Sequence, residues 1–153
     1  MLRMVTISPE DYGALEVMLS ENRLLASDLE GDNKRFYAFE DESGWRMGVG
    51  GFEIYGTHAL VRSLVVVEEY RQRGHGQEMV EQLIETVAAL GVTRLYLFTE
   101  HAEKFFKKLG FAPAERGDAP EGIQSSYQFT THCGDDATFM MAEIGEGEVS
   151  SET

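Results

Sequence analysis

The stretch Leu64-Val65-Val66-Val67-Glu68-Glu69-Tyr70-Arg71-Gln72-Arg73-Gly74-His75-Gly76 changes its period halfway along. An aliphatic run suited to a buried strand ends at Val67, and a polar loop with two arginines and two glycines follows. From Gly76 to Leu90 the apolar residues Met79, Val80, Leu83, Ile84, Val87 and Leu90 fall on one helical face, and Gly91 supplies the stop. A strand feeding a glycine-bearing loop that opens a helix is an anion site, because the first helical amides lack partners and point back at the loop. Gly74 and Gly76 allow close backbone approach and positive φ, and Arg71 and Arg73 add charge. The expected ligand is a phosphate. The dinucleotide fingerprint needs a glycine where Met79 stands, and the nucleotide P-loop needs a Gly-Lys-Ser/Thr that is absent.

Upstream, Arg3–Ile7 alternates like a strand, and Ser8-Pro9-Glu10-Asp11 offers an N-cap hydroxyl, a first-turn proline and acids for a helix from Pro9 to Ser20. The polar segment from Ala26 to Asn33 reads as a loop or short turn. Arg35–Glu40, Trp45–Tyr55 and His58–Val67 form an expected antiparallel meander, joined by a turn at Asp41–Gly44 and a tight hairpin at Gly56-Thr57. Downstream, Arg94–Thr99 is a strand and Ala102–Leu109 a short helix closed by Gly110. Phe111 begins another strand, and Ala137–Ile144 is the last. The acidic, Gly/Ser-bearing tail Gly145–Thr153 is expected to be disordered, leaving residues 1–144 as a single domain.

The chain has 153 residues with 13 Lys plus Arg against 27 Asp plus Glu, a formal net charge of −14 and a pI near 4.6. Such a surface does not supply the basic face that nucleic acid or an anionic membrane requires. Nine arginines to four lysines in an acidic chain looks like the balance of salt-adapted proteins, in which molar salt screens dense carboxylates; the alternative is an ordinary acidic cytosolic protein. The longest uninterrupted aliphatic stretch is Leu64–Val67, so neither a spanning helix nor a signal peptide is expected, and the default compartment is the cytoplasm. Cys133 is the only cysteine, which excludes an intrachain disulfide and a multi-cysteine zinc site. A nucleophile or metal role for Cys133 beside His132 lacks the further ligands it needs, and no metal is expected.

Arg71-x-x-Gly74-x-Gly76 between strand and helix, with Ala102–Phe111 (AEKFFKKLGF) downstream, resembles the pyrophosphate loop and closing elements of the GNAT (GCN5-related) N-acetyltransferases. The resemblance implies an α/β (α+β) fold with a mixed, mostly antiparallel central sheet flanked by helices, acetyl-CoA as cosubstrate, and a small-molecule amine as acceptor. Gly51-Phe52-Glu53 with Tyr55-Gly56, Leu60–Leu64, Glu115-Arg116 to Ala119-Pro120, Ile123, Gln128-Phe129, Cys133 and Met140 look like the arsenic-resistance branch of that family. That branch is associated with acetylating amino-acid analogues such as arsinothricin and phosphinothricin. With a single thiol in the chain, any arsenic connection would run through an organoarsenical amine and not through metalloid binding. Self-association as a homodimer is left open.

By the same resemblance, the backbone of Val65, Val66 and Val67 pairs with the pantetheine arm and supplies an oxyanion donor, and the loop Arg71, Gln72, Arg73, Gly74, His75 and Gly76 holds the pyrophosphate. His75 is expected to contribute backbone only. A two-residue turn at Gly56-Thr57 places Glu53 opposite Leu60 and diagonal to Arg62 on one sheet face. The functional reading makes Glu53 the base for the acceptor ammonium and Arg62 the bidentate partner of an acceptor carboxylate; the alternative is a structural ion pair. The family's usual tyrosine acid is replaced by Phe105 and Phe106, so water, another residue, or direct release of coenzyme A as thiolate must serve; Tyr127 is one candidate, or else a packed aromatic with a satisfied hydroxyl. Phe106 and Lys108 are placed at the coenzyme. Lys104, Lys107 and Lys108 share a helix face and are candidates for its outer phosphate, or else form a solvated, dipole-compatible helix end. Alternatives to an amino-acid-like acceptor are a polyamine, a protein N-terminus, or an acyl-CoA sensor without turnover. Residues 68–108 carry a net charge of −1, so the acidity of the chain lies mostly outside the proposed coenzyme site.

Overall fold

In the computed structural model, which describes residues 2–67, 74–132 and 135–144, β1 (Arg3–Thr6) leads through a 3-10 turn (Pro9–Asp11) into α1 (Tyr12–Glu21). Then come β2 (Lys34–Glu40), β3 (Arg46–Tyr55), β4 (His58–Val66), α2 (His75–Ala89), β5 (Arg94–Thr99) and α3 (Glu103–Lys108). The two-residue β6 (Ala112–Pro113), a second 3-10 turn (Arg116–Asp118), α4 (Glu121–Gln124), α5 (Tyr127–His132) and β7 (Thr138–Glu143) complete the chain. The strand order is β1-β2-β3-β4-β5-β7-β6. β4 and β5 run parallel, whereas β1–β2, β2–β3, β5–β7 and β6–β7 run antiparallel, which is the mixed, mostly antiparallel sheet expected. Among the described residues no helix is long and apolar enough to cross a membrane.

Contacts group the chain into two compact units, Met1–Glu53 with Val61–Leu83, and Ile54–Leu60 with Ile84–Thr153. In the first, Leu15 and Leu19 of α1 join Ile7, Ala26, Leu29, Phe36, Ala38, Val49 and Val65 in one apolar cluster. Burial of each large side chain there contributes about 1.5–3 kcal/mol. Helix α1 ends on Arg23 in the left-handed conformation, φ 63°, which lets Leu24 N bond back to Leu19 O at 2.9 Å. The chain thus turns sharply into the 24–33 loop, whose Ala26 and Leu29 are buried anchors. In the second unit, Leu60, Tyr96, Ala119, Ile123, Phe129 and Phe139 form the core, with Tyr96 stacked on Phe139 at 5.4 Å.

Several sequence expectations are corrected. Ser8 Oγ caps no backbone N–H; it lies 3.5 Å from a Glu10 oxygen and 3.4 Å from an Asp11 oxygen, and the first turn is 3-10. Helix α2 stops at Ala89, which leaves Leu90 58% exposed, while Met79, Val80, Leu83 and Val87 are fully buried as expected. The strand expected to begin at Phe111 starts at Ala112 and is only two residues long. Helices α4 and α5 have no counterpart in the sequence reading.

Candidate active site

Arg62 is the centre of the first unit's buried polar assembly. Its side chain is fully buried, and it donates five hydrogen bonds: Nη1 to Glu53 Oε2 (2.6 Å) and Asp28 Oδ2 (2.7 Å), Nη2 to Asp28 Oδ1 (2.7 Å) and Leu25 O (3.2 Å), and Nε to Ser63 Oγ (3.0 Å). A guanidinium has five N–H groups, so none is left over. The expectation that Glu53 and Arg62 share a sheet face is met. The expectation that Arg62 grips an acceptor carboxylate is not, because the protein's own groups already occupy every donor. Burial works against the Arg62 charge, but the Asp28 and Glu53 carboxylates outweigh it and raise the guanidinium pKa above its ordinary value.

Three neighbours fix this geometry. Arg62 lies over the Phe36 ring, 5.3 Å from its centroid. Phe36 pairs in register with Gly51, where a Cβ would meet the ring at 2.5 Å and Arg35 O at 2.5 Å, so only glycine leaves room for this platform. Ser63 holds φ 64° inside β4, a left-handed conformation uncommon for a residue with a side chain. Lys34 Nζ bonds Asp28 O at 2.5 Å and lies 3.6 Å from Asp28 Oδ2, pinning the loop from its other side. Asp28 is the participant the sequence reading missed. It sits in an aperiodic loop, and only its place between the apolar anchors Ala26 and Leu29 hints that its side chain turns inward.

The strand, loop and helix of the proposed phosphate site flank residues 68–73. Arg71, Gln72 and Arg73 lie outside the described residues. Val65 is buried, and Val66 and Val67 are half-buried. Val67 N bonds Met47 O at 2.8 Å, so this amide is committed within the unit and is not an oxyanion donor in this arrangement. Gly74 takes φ 83° and its carbonyl accepts from Glu78 N (3.2 Å), opening α2. Positive φ is confined to Gly74 of the two glycines: Gly76 lies in the first helical turn, and His75 is its first residue. The amides of that turn are the groups able to hold an anion.

In the second unit, Phe106 is 7% exposed and packs edge-to-face on Phe105 (5.0 Å) and Phe111 (5.7 Å), a core position. Lys104, Lys107 and Lys108 are exposed, and Lys107 pairs with Glu103 at 3.2 Å. Tyr127 opens α5 and is 43% exposed. Cys133 lies outside the described residues, as does the tail from 145.

Residues 2–111 match the model of the Acetyltransferase (GNAT) family. A 66-residue stretch is 33% identical to the amino-acid acetyltransferase of Pseudomonas syringae pv. tomato, covering 43% of this chain but 15% of that protein's length. Among solved structures, N-acetylglutamate synthase from Neisseria gonorrhoeae, complexed with coenzyme A and L-arginine, superposes with a TM-score of 0.74 at 15% identity over 94% of this chain and 33% of that one. Tetrahymena GCN5 superposes with a TM-score of 0.73 at 16% identity, over 93% of this chain and 96% of that one.

Proposed function

This chain belongs to the GNAT acetyltransferase family, and on that premise we propose that its domain, residues 1–144, transfers the acetyl group of acetyl-CoA to the amine of a small amino-acid-like acceptor in the cytoplasm. The observation that carries the acceptor class is the 33% identity to an amino-acid acetyltransferase over 66 residues. Amino-acid analogues of the arsinothricin and phosphinothricin type belong to that class, and the residues quoted above for the arsenic-resistance branch support testing them first.

The acceptor ammonium must lose a proton before its nitrogen attacks the thioester carbonyl; the tetrahedral intermediate then collapses and coenzyme A leaves as thiolate. Glu53 is assigned as the base. Its 1% exposure calls for a bridging water to relay the proton. Arg62 is reassigned from acceptor binding to positioning: it holds one Glu53 oxygen at 2.6 Å and is itself locked by Asp28. The α2 N-terminus with Gly74, His75 and Gly76 is assigned to the coenzyme's pyrophosphate, together with Arg71, Gln72 and Arg73. With phenylalanine at 105 and 106, the departing thiolate takes its proton from water.

A second reading, a purely structural Asp28–Arg62–Glu53 trio, is favoured by the near-complete burial of Glu53 and Arg62. One experiment separates the two. Thiol release from acetyl-CoA is followed with amino acids and their analogues, a polyamine and a peptide N-terminus, for the parent and Glu53→Gln. The proposal expects the amino-acid class to turn over fastest, and Glu53→Gln to lower kcat with coenzyme affinity unchanged. A faster polyamine or peptide overturns the acceptor class, and coenzyme binding without release for any amine supports a sensor. Full rate and an unaltered pH profile in Glu53→Gln remove it from the chemistry.

A further inference from the structure

The second unit gathers a mixed nitrogen and oxygen donor set away from any residue assigned above. Glu100 follows β5, His132 ends α5, and Asp135 precedes β7; one ligand atom from each lies within 4.8 Å of the others. His132 Nδ1 is 2.7 Å from Asp135 Oδ2. The imidazole is stacked on Phe98, centroids 4.8 Å apart and planes 28° from parallel, so its orientation is fixed from the ring face. Its backbone is fixed as well, because Arg116 Nη1 donates to His132 O while Nη2 donates to Ala137 O at 2.5 Å.

Asp135 divides its work between its two oxygens. Oδ1 accepts Ala137 N at 3.0 Å and the more distant Arg116 Nη2 at 3.4 Å, leaving Oδ2 turned to the imidazole. Burial by itself raises the Asp135 pKa. Hydrogen bonds from His132 and Ala137 N, the His132 charge and a hydrogen bond from Arg116 more than offset it and hold the carboxyl below its usual range. Glu100 is exposed, and its Oε1 lies 3.8 Å from Nε2 of the exposed His101.

We propose that Glu100, His132 and Asp135 form a binding site for a divalent first-row transition metal of the zinc class. One donor atom comes from each residue and water completes the shell. The imidazole selects against Mg²⁺ and Ca²⁺, which take oxygen ligands, and the set suits Zn²⁺, Co²⁺ or Ni²⁺. A metal would tie the end of α5 to the start of β7 and to the segment after β5, all within one unit. Sequence alone hides the set, because Glu100 stands far upstream of His132 and the eye is drawn to the adjacent Cys133.

The test is a calorimetric titration of the chelator-stripped full chain with ZnCl₂ in a large excess of MgCl₂, which occupies unspecific carboxylate sites. One saturable Zn²⁺ site per chain is expected. Glu100→Gln and His132→Gln should each weaken it by at least about ten-fold, and His101→Ala should leave it unchanged. Because His132 also packs on Phe98, Glu100→Gln is the deciding variant: it alters an exposed side chain and leaves the fold intact. No saturable Zn²⁺ site in the parent, Glu100→Gln binding as tightly as the parent, loss on His101→Ala, or displacement of Zn²⁺ by Mg²⁺ would each overturn the proposal.

Discussion

Asp28 and Arg62 meet through two parallel hydrogen bonds, Nη1 to Oδ2 and Nη2 to Oδ1, both 2.7 Å long. This fork joins an irregular loop to the middle of β4 and leaves one further bond from Nη1 for Glu53. Removing one partner of such a pair strands a buried charge, which typically costs about 3–5 kcal/mol. Asp28→Ala should therefore destabilise the protein by close to the lower figure, since the Asp28 side chain keeps 11% exposure, and Asp28→Asn, which retains one acceptor, by less. Urea unfolding midpoints at neutral pH check this. A loss below about 1 kcal/mol for Asp28→Ala would mean that water takes over the guanidinium.

Gly76→Glu should abolish coenzyme A binding. Position 76 lies in the first turn of α2, where a carboxylate would stand among the amides expected to hold the pyrophosphate, adding bulk and like charge. Calorimetric titration with coenzyme A is the measurement, with circular dichroism confirming the fold. Affinity equal to that of the parent would remove the phosphate assignment from this loop.

Gly48→Ala should destabilise through overpacking. A Cβ there would stand 2.3 Å from Val65 O and 3.0 Å from the Met79 side chain; Met79 can yield, but the carbonyl of β4 cannot. A loss of roughly 1–3 kcal/mol or more is expected in denaturant unfolding. Gly44→Ala, where no atom lies near the added carbon, should lose less and only through its φ of 88°. Equal losses at the two positions would contradict the close approach at Gly48.

His58 should impose a pH dependence on stability. Burial, reinforced by the Arg94 charge, lowers its folded pKa from the ordinary 6.5. The unfolded chain therefore binds this proton more readily, so the contribution is complete above about pH 6.5 and declines as the pH falls through that value towards the folded pKa. His58→Gln should flatten the fall in Tm between about pH 7 and 5.5. NMR titration of the imidazole should show a midpoint below 6.5; a midpoint at that value would remove the effect, and one above it would reverse the sign.

The Glu53–Arg62 contact was legible because a two-residue turn at Gly56-Thr57 fixes the hairpin register, and register decides which side chains share a face. Its chemical meaning was not, because the loop that saturates Arg62 is aperiodic and Asp28 lies 34 residues from its partner. The same limit hid α4 and α5. Helices of four and six residues are too short to display a period, and the local signal was a single capping hydroxyl, Ser126 Oγ accepting from Phe129 N at 3.1 Å. The long α2 was legible to within a residue at each end because fifteen residues repeat the pattern often enough to fix both its type and its buried face.

The left-handed Ser63 divides β4 into two half-strands of opposite parity. Side chains alternate along an unbroken extended strand, so positions 62 and 65 would face opposite ways in one; here Arg62 lies over Phe36, and Val65 belongs to the apolar cluster that contains Phe36. A chimera that replaced this segment with a regular strand would restore the alternation and rotate one half against the other. Either Arg62 would leave Glu53 or Val65 would leave the core. Residues 58–66 are therefore an indivisible block for recombination with any relative, and their transplantable unit includes the serine that breaks the strand.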